Sequence, residues 1–199
     1  MSGSRERGAR IAAIALFAAL AAPPVRALLE ADMRLHMLVQ FPLLAAAGAL
    51  AAAGLPSGWR AAIARWNRHG IAGLLCAALT STFWMLPKAL DDALVEPWLD
   101  AAKFVSLGLG VGFALAVSWR PAGLIGRGVF LGNLLPMLAV AGWLYLAAPL
   151  RLCNAYLTGQ QQATGTALIA AALVATLAWL GGFFVGAGAR PAAPRAPAG

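Results

Sequence analysis

The stretch Leu35–Leu55, LHMLVQFPLLAAAGALAAAGL, runs for 21 residues without one Asp, Glu, Lys or Arg. A helix rises about 1.5 Å per residue, so crossing a hydrocarbon core of about 30 Å takes about 20 mostly apolar residues. This stretch therefore reads as a membrane-crossing helix. Working outward from it, four more apolar runs follow, at 70–87, 103–119, 128–149 and 166–187, the second of them starting at Lys103. A sixth, Ile11 to Val25, is shorter and ends in Pro23-Pro24. Arg5, Arg7 and Arg10 precede it, and Ala19-Leu20-Ala21 resembles a signal-peptidase site. It is either a retained first helix or a cleaved signal peptide covering residues 1–21. The fold expected is all-α: a polytopic membrane helix bundle of six transmembrane helices, or five plus a signal peptide.

Composition agrees. Of the 199 residues, 61% are apolar and 11% charged, against about 25% charged in ordinary soluble domains. A small soluble fold has no way to hide that much apolar surface, so the bilayer is the solvent. The net charge of +8 raises the question of nucleic acid. The basic residues, however, stand singly or in small groups between apolar runs, with no basic helix face and no aromatic-basic RNA motif. No nucleic-acid partner is expected.

Charge also predicts orientation. With the N-terminus inside, Arg5, Arg7, Arg10, Arg60, Arg65, Arg68, Arg120, Arg127, Arg190 and Arg195 are cytoplasmic. Arg26, Arg34, Lys88, Lys103 and Arg151 are outside. That asymmetry is the positive-inside pattern. Of the acidic residues only Glu6 is then inside, while Glu30, Asp32, Asp91, Asp92, Glu96 and Asp100 are outside. Both termini are expected in the cytoplasm, and the Ala/Gly/Arg-rich usage points to a bacterial inner membrane. Trp59, Trp66 and Trp119 fall at inner boundaries and Trp84, Trp98 and Trp143 near outer ones, as interfacial aromatics prefer. Small-residue pairs at Gly108/Gly112, Gly128/Gly132 and Gly182/Gly186 suit close helix packing within the chain. Residues 1–188 are read as one transmembrane domain and 189–199, rich in Pro and Ala, as a disordered cytoplasmic tail.

Chemistry concentrates where the second helix begins. Met33, His36, Met37 and Gln40 follow i, i+3, i+4, i+7 spacing and share a helix face. Thioether and imidazole together suit soft Cu(I). Pro42 follows one turn later and predicts a kink. Met85, at the outer end of the third helix, can join the cluster, and Asp91 beyond it can attract a cation. Asp91 and Asp92 can instead form salt bridges to Lys88, Arg34 or Arg151. The bland alternative is that the methionines fill a helix interface, that His36 is a polar group at headgroup level, and that the acidic segment is a solvated loop. Residues 88–98 suggest a short interfacial helix with Leu90, Leu94 and Trp98 on its apolar side. Deeper in the fifth helix, Asn133 is expected to hydrogen-bond the carbonyl freed by Pro136, or to line a solute path. Cys153 is expected on the outer face, open to a membrane-impermeant thiol reagent.

Several classes are excluded. His36 and His69 lie on opposite sides, so one chain offers no bis-histidine haem site. There is no phosphate-binding glycine loop and no nucleophile constellation, and no enzymatic activity is expected.

The segment Leu35–Leu44, with His36-Met37, resembles the CtaG family of cytochrome c oxidase assembly proteins, whose early helix carries an outward His-Met-x-x-His motif. Gln40 stands where the second histidine of that motif would be. Phe83-Trp84-Met85-Leu86-Pro87 is similar to aromatic motifs of the family. The resemblance implies copper handling for oxidase assembly; together with the residue pattern it places transient Cu(I) at Met33, His36 and Met37, joined by Met85 and Asp91. Its implied partners are oxidase subunits or a periplasmic copper chaperone. A structural subunit or scaffold of a membrane complex, and a small-solute transporter, stand as alternatives.

Overall fold

The computed structural model describes residues 2–149 and 151–188; the predicted tail, 189–199, lies outside the described residues. Every regular element among them is helical. Helix α1 (Ser2–Ala21) turns by 67° into α2 (Pro23–Glu30) at the Pro23-Pro24 pair. Next come α3 (Met33–Leu35), a π-helical turn over His36–Gln40, and α4 (Phe41–Ala53), which together form one continuous span, Met33–Ala53. Helix α5 (Ser57–Trp66) leads to α6 (Ile71–Trp84), which bends by 75° into α7 (Pro87–Val95). Helix α8 (Pro97–Ser106), a second π-helical turn over Leu107–Phe113 and α9 (Ala114–Ser118) make the next span. Helices α10 (Gly123–Ala147) and α11 (Thr158–Gly188) complete the chain.

Four helical stretches are long and apolar enough to cross a membrane, and up to six if each bent pair counts as one crossing. The connections gather at two ends. At one, Arg60 of α5 pairs with Glu6 of α1, and Asn67 donates to Ser118 Oγ. At the other, residues near 30, 90, 100 and 155 meet.

Three details differ from the sequence reading, each for a local reason. Residues 88–98 are two helices, because Pro97 has no N–H to continue α7 and instead starts α8. Leu90 is therefore buried under α7, whereas Trp98 is 67% exposed on α8. Trp84 is buried, its indole N–H donating to Ser106 Oγ at 2.8 Å, so it is a core residue and not an interfacial anchor. The kink predicted at Pro42 is accommodated one turn earlier: in the His36–Gln40 turn, Phe41 N–H reaches back to His36 O. The widened turn shifts the hydrogen-bond pattern just where the proline lacks its donor.

Close crossings fix the interior. A Cβ on Gly48 would fall onto the carbonyl of Gly108, and one on Gly112 onto that of Ala45. The Gly108/Gly112 pair thus packs α4 against the second π turn, as expected. No such neighbour stands over Gly132 or Gly182, and Gly128 meets only Trp179 at ordinary contact distance. Gly70 starts α6 at φ +70, hard against the backbone of Ser118 and Ala122, where a side chain has no room. The main apolar core lies toward the end where residues 30, 90, 100 and 155 meet. It includes Leu29, Met33, Met37, Phe41, Leu90 and Phe104.

Candidate functional site

The face predicted for the second helix is the buried one. Met33, His36, Met37 and Gln40 are all buried, although the turn that carries them is wider than an α-helical one. The side chain at their centre, His36, is fully buried and held on both ring nitrogens. Its Nδ1 lies 2.5 Å from the Tyr156 hydroxyl and its Nε2 3.1 Å from Lys103 Nζ.

The partners determine the proton positions. An ammonium has donors and no acceptor, so Nε2 must offer its lone pair to Lys103. Nδ1 then carries the hydrogen and donates to Tyr156 Oη, while the Tyr156 hydroxyl donates to Glu30 O at 3.1 Å. Every link of that chain has one donor and one acceptor.

Lys103 is the hub. Its fully buried ammonium contacts Glu30 Oε1 at 2.8 Å, Asp100 Oδ1 at 2.9 Å and the imidazole. Arg26 pairs with Asp100 at 2.7 Å and lies 3.6 Å from Glu30, so two cations face two carboxylates and the cluster is neutral. Such an arrangement lets charge sit inside a bundle, because an unpaired ion in hydrocarbon costs several kcal/mol. Gln40 Nε2 donates to Glu30 Oε1 at 3.3 Å, and its buried Oε1 has no hydrogen-bond partner.

Local sequence sets each position. Asp32 caps α3: its Oδ1 accepts from Arg34 N at 2.8 Å. The Arg34 guanidinium hydrogen-bonded to Asp32 holds that carboxyl below its usual range. Asp100 and Lys103, three apart on α8, face each other one turn on. Tyr156 comes from the α10–α11 connection. That connection is anchored by Asp91, whose carboxylate accepts from the backbone N–H groups of Asn154 (2.6 Å) and Ala155 (3.3 Å). Gln161 Oε1 anchors it again through Leu152 N and Cys153 N.

Of the predicted copper ligands, Met33 and Met37 belong to the same apolar cluster as Met85, which packs against its edge. Asp91 is engaged with backbone amides instead, and of the loop pairings considered it is Asp92 that meets Lys88, at 3.0 Å. In this arrangement the His36 lone pair faces the Lys103 ammonium, and the Asp91 carboxylate accepts from backbone amides. Among the described residues no group of three or more His, Cys, Asp or Glu side chains is placed to hold a metal.

Two other expectations change. Cys153 is buried, with burial first and the charge of Asp91 second pushing its thiol up to about 12. It is therefore shielded from a reagent in the aqueous phase. The Asn133 side chain makes no hydrogen bond among the described residues; it is exposed and lines a cleft between α6 and α10.

By sequence, Arg26, Glu30 and Asp100 stand as outer charges beside the spans, and Lys103 stands at the edge of one. Extending the fourth span back to Pro97 places Asp100 and Lys103 inside it, and their i, i+3 spacing is the signal that marks the pair. Tyr156 carried no local signal. Comparison with family models, curated proteins and solved structures finds no match to this chain.

Proposed function

We propose that this chain is a multi-pass bacterial inner-membrane accessory protein with six crossings and both termini in the cytoplasm. Its role is that of a structural subunit or scaffold of a membrane complex, without a ligand or catalysis of its own. The observation that carries this reading is closure of the polar cluster. Arg26, Glu30, His36, Asp100, Lys103 and Tyr156 satisfy one another across α2, the first π turn, α8 and the α10–α11 connection. Side chains so engaged hold these segments against one another. The orientation is supported by the charge asymmetry and by the sorting of connections to two ends. Affinity purification from membranes is expected to bring down a defined membrane partner, and His36→Ala to retain it wherever the variant accumulates normally. Purification of the chain alone from mildly solubilised membranes would overturn the reading.

A second reading, copper handling for oxidase assembly, has one observation in its favour: Met33, Met37 and Met85 share one cluster, and His36 lies on the same helix face as the first two. It is decided by titrating purified protein with Cu(I) against a chromophoric competitor. One equivalent bound by the wild type and lost in His36→Ala/Met37→Ala would put copper first. Equal binding by both removes it, and the scaffold reading stands.

A further inference from the structure

The opposite end of the bundle carries a feature that the scaffold reading does not use. A cleft of about 660 Å³ runs between α6 and α10, walled by Ile71, Leu75 and Leu79 on one side and Ile125 and Val129 on the other. It reaches from His69 at one end to Thr82 and Asn133 at the other. From Ile71 to Thr82 the helix rises about 16 Å, which is about half of a hydrocarbon core of about 30 Å. The cleft therefore has the depth of one leaflet and an apolar wall along that depth.

Its mouth is basic. A second depression, sharing His69, Ile71 and Leu75 with the cleft, is bordered by Arg65 and Arg68. Both arginines are exposed, and neither has a carboxylate partner among the described residues. Of the 7 acidic residues, only Glu6 lies at this end, and it is paired with Arg60 at 2.6 Å. Arg127 is turned onto the carbonyls of Trp119 and Arg120. Two uncompensated guanidinium groups at the entrance of a leaflet-deep apolar slot match a molecule with a phosphate at one end and a hydrocarbon chain at the other. Arginine meets phosphate with a planar fork of donors, and basic pockets between membrane helices attract anionic head groups.

We propose that the α6–α10 cleft holds one acyl chain of an anionic phospholipid whose phosphate is met by Arg65 and Arg68. Native mass spectrometry of the full chain with added phosphatidylglycerol or phosphatidylcholine tests it. The wild type is expected to bind phosphatidylglycerol on the order of ten-fold more tightly, from two arginines near the head group. Arg65→Gln/Arg68→Gln abolishes that preference, whereas Leu75→Trp, which fills the slot, weakens both lipids. Arg34→Gln, at the far end, leaves the preference intact and controls for net charge. A wild type without preference, a preference that survives Arg65→Gln/Arg68→Gln, or binding of both lipids left unchanged by Leu75→Trp overturns the proposal. So does a dimer that binds no lipid, which would place a second copy in the cleft.

Discussion

Lys103 shows how much one side chain can determine. Its ammonium is the common partner of Glu30, Asp100 and His36, all of them buried or nearly so. Lys103→Met is close in volume yet leaves two carboxylates facing each other, with only Arg26 to answer them. Breaking a buried ion pair from one side costs about 3–5 kcal/mol, and unfolding of the detergent-solubilised variant is expected to show a loss of that size. Tyr156→Phe is milder: it strands the Nδ1–H of His36, at about 1–3 kcal/mol. If Lys103→Met melted like the wild type, the cluster would contribute nothing to holding the fold.

Cys153 gives a prediction in pH. The native thiol is raised to about 12 from an ordinary value of 9.0. Below about pH 9 the thiol is protonated in both the folded and the unfolded chain, and its contribution is fully present. Between about 9 and about 12 only the unfolded chain ionises, so stability falls as pH rises. Cys153→Ala is expected to flatten part of that alkaline slope. The rest remains, because burial also raises Tyr156 and gives the same sign. Thiol labelling at neutral pH is expected to be slow in native protein and fast once it is unfolded.

Individual elements show what the sequence could and could not tell. The spans were legible because a lack of charge over about 20 residues has one physical meaning, and that Met33, His36, Met37 and Gln40 share one face was legible from spacing, though its burial was not. The π turns were not. Hydrophobic periodicity over five or seven residues cannot distinguish 3.6 residues per turn from a wider one, and only Pro42 hinted at a disturbance. The polar cluster was half legible: Asp100 and Lys103 are a local pair, but Tyr156 reaches His36 from 120 residues away. No local pattern encodes such a meeting. Glycine pairs divide in the same manner, since identical spacing at 108/112 and 128/132 led to one tight crossing and one open face. Gly48→Ala or Gly112→Ala is therefore expected to cost about 1–3 kcal/mol or more, because backbone carbonyls cannot move aside. Gly132→Ala, with open space above it, is expected to be neutral or slightly stabilising, as Ala is the better helix former. Equal effects at both sites would mean that the α4 crossing is looser than its geometry.

At the scale of the molecule, the two ends differ in kind. One is knotted by ions and carries most of the acidic residues; the other has few internal charge pairs and a surplus of arginine. That polarity is what a bilayer with an asymmetric charge environment would impose on a chain crossing it repeatedly.

The ionic cluster also has a bearing on how the protein is made. Glu30 and Lys103 are 73 residues apart, and His36 and Tyr156 are 120 apart. At about 5–20 residues per second, Glu30 leaves the ribosome about 4–15 s before Lys103, with Arg26 already made beside it, and His36 waits longer still for its phenol. Until α8 arrives Arg26 is the one cation of the cluster that Glu30 can meet, and the arrangement around Lys103 is incomplete. The last connection to be synthesised then closes the cluster, and the order of the chain becomes a schedule for its assembly.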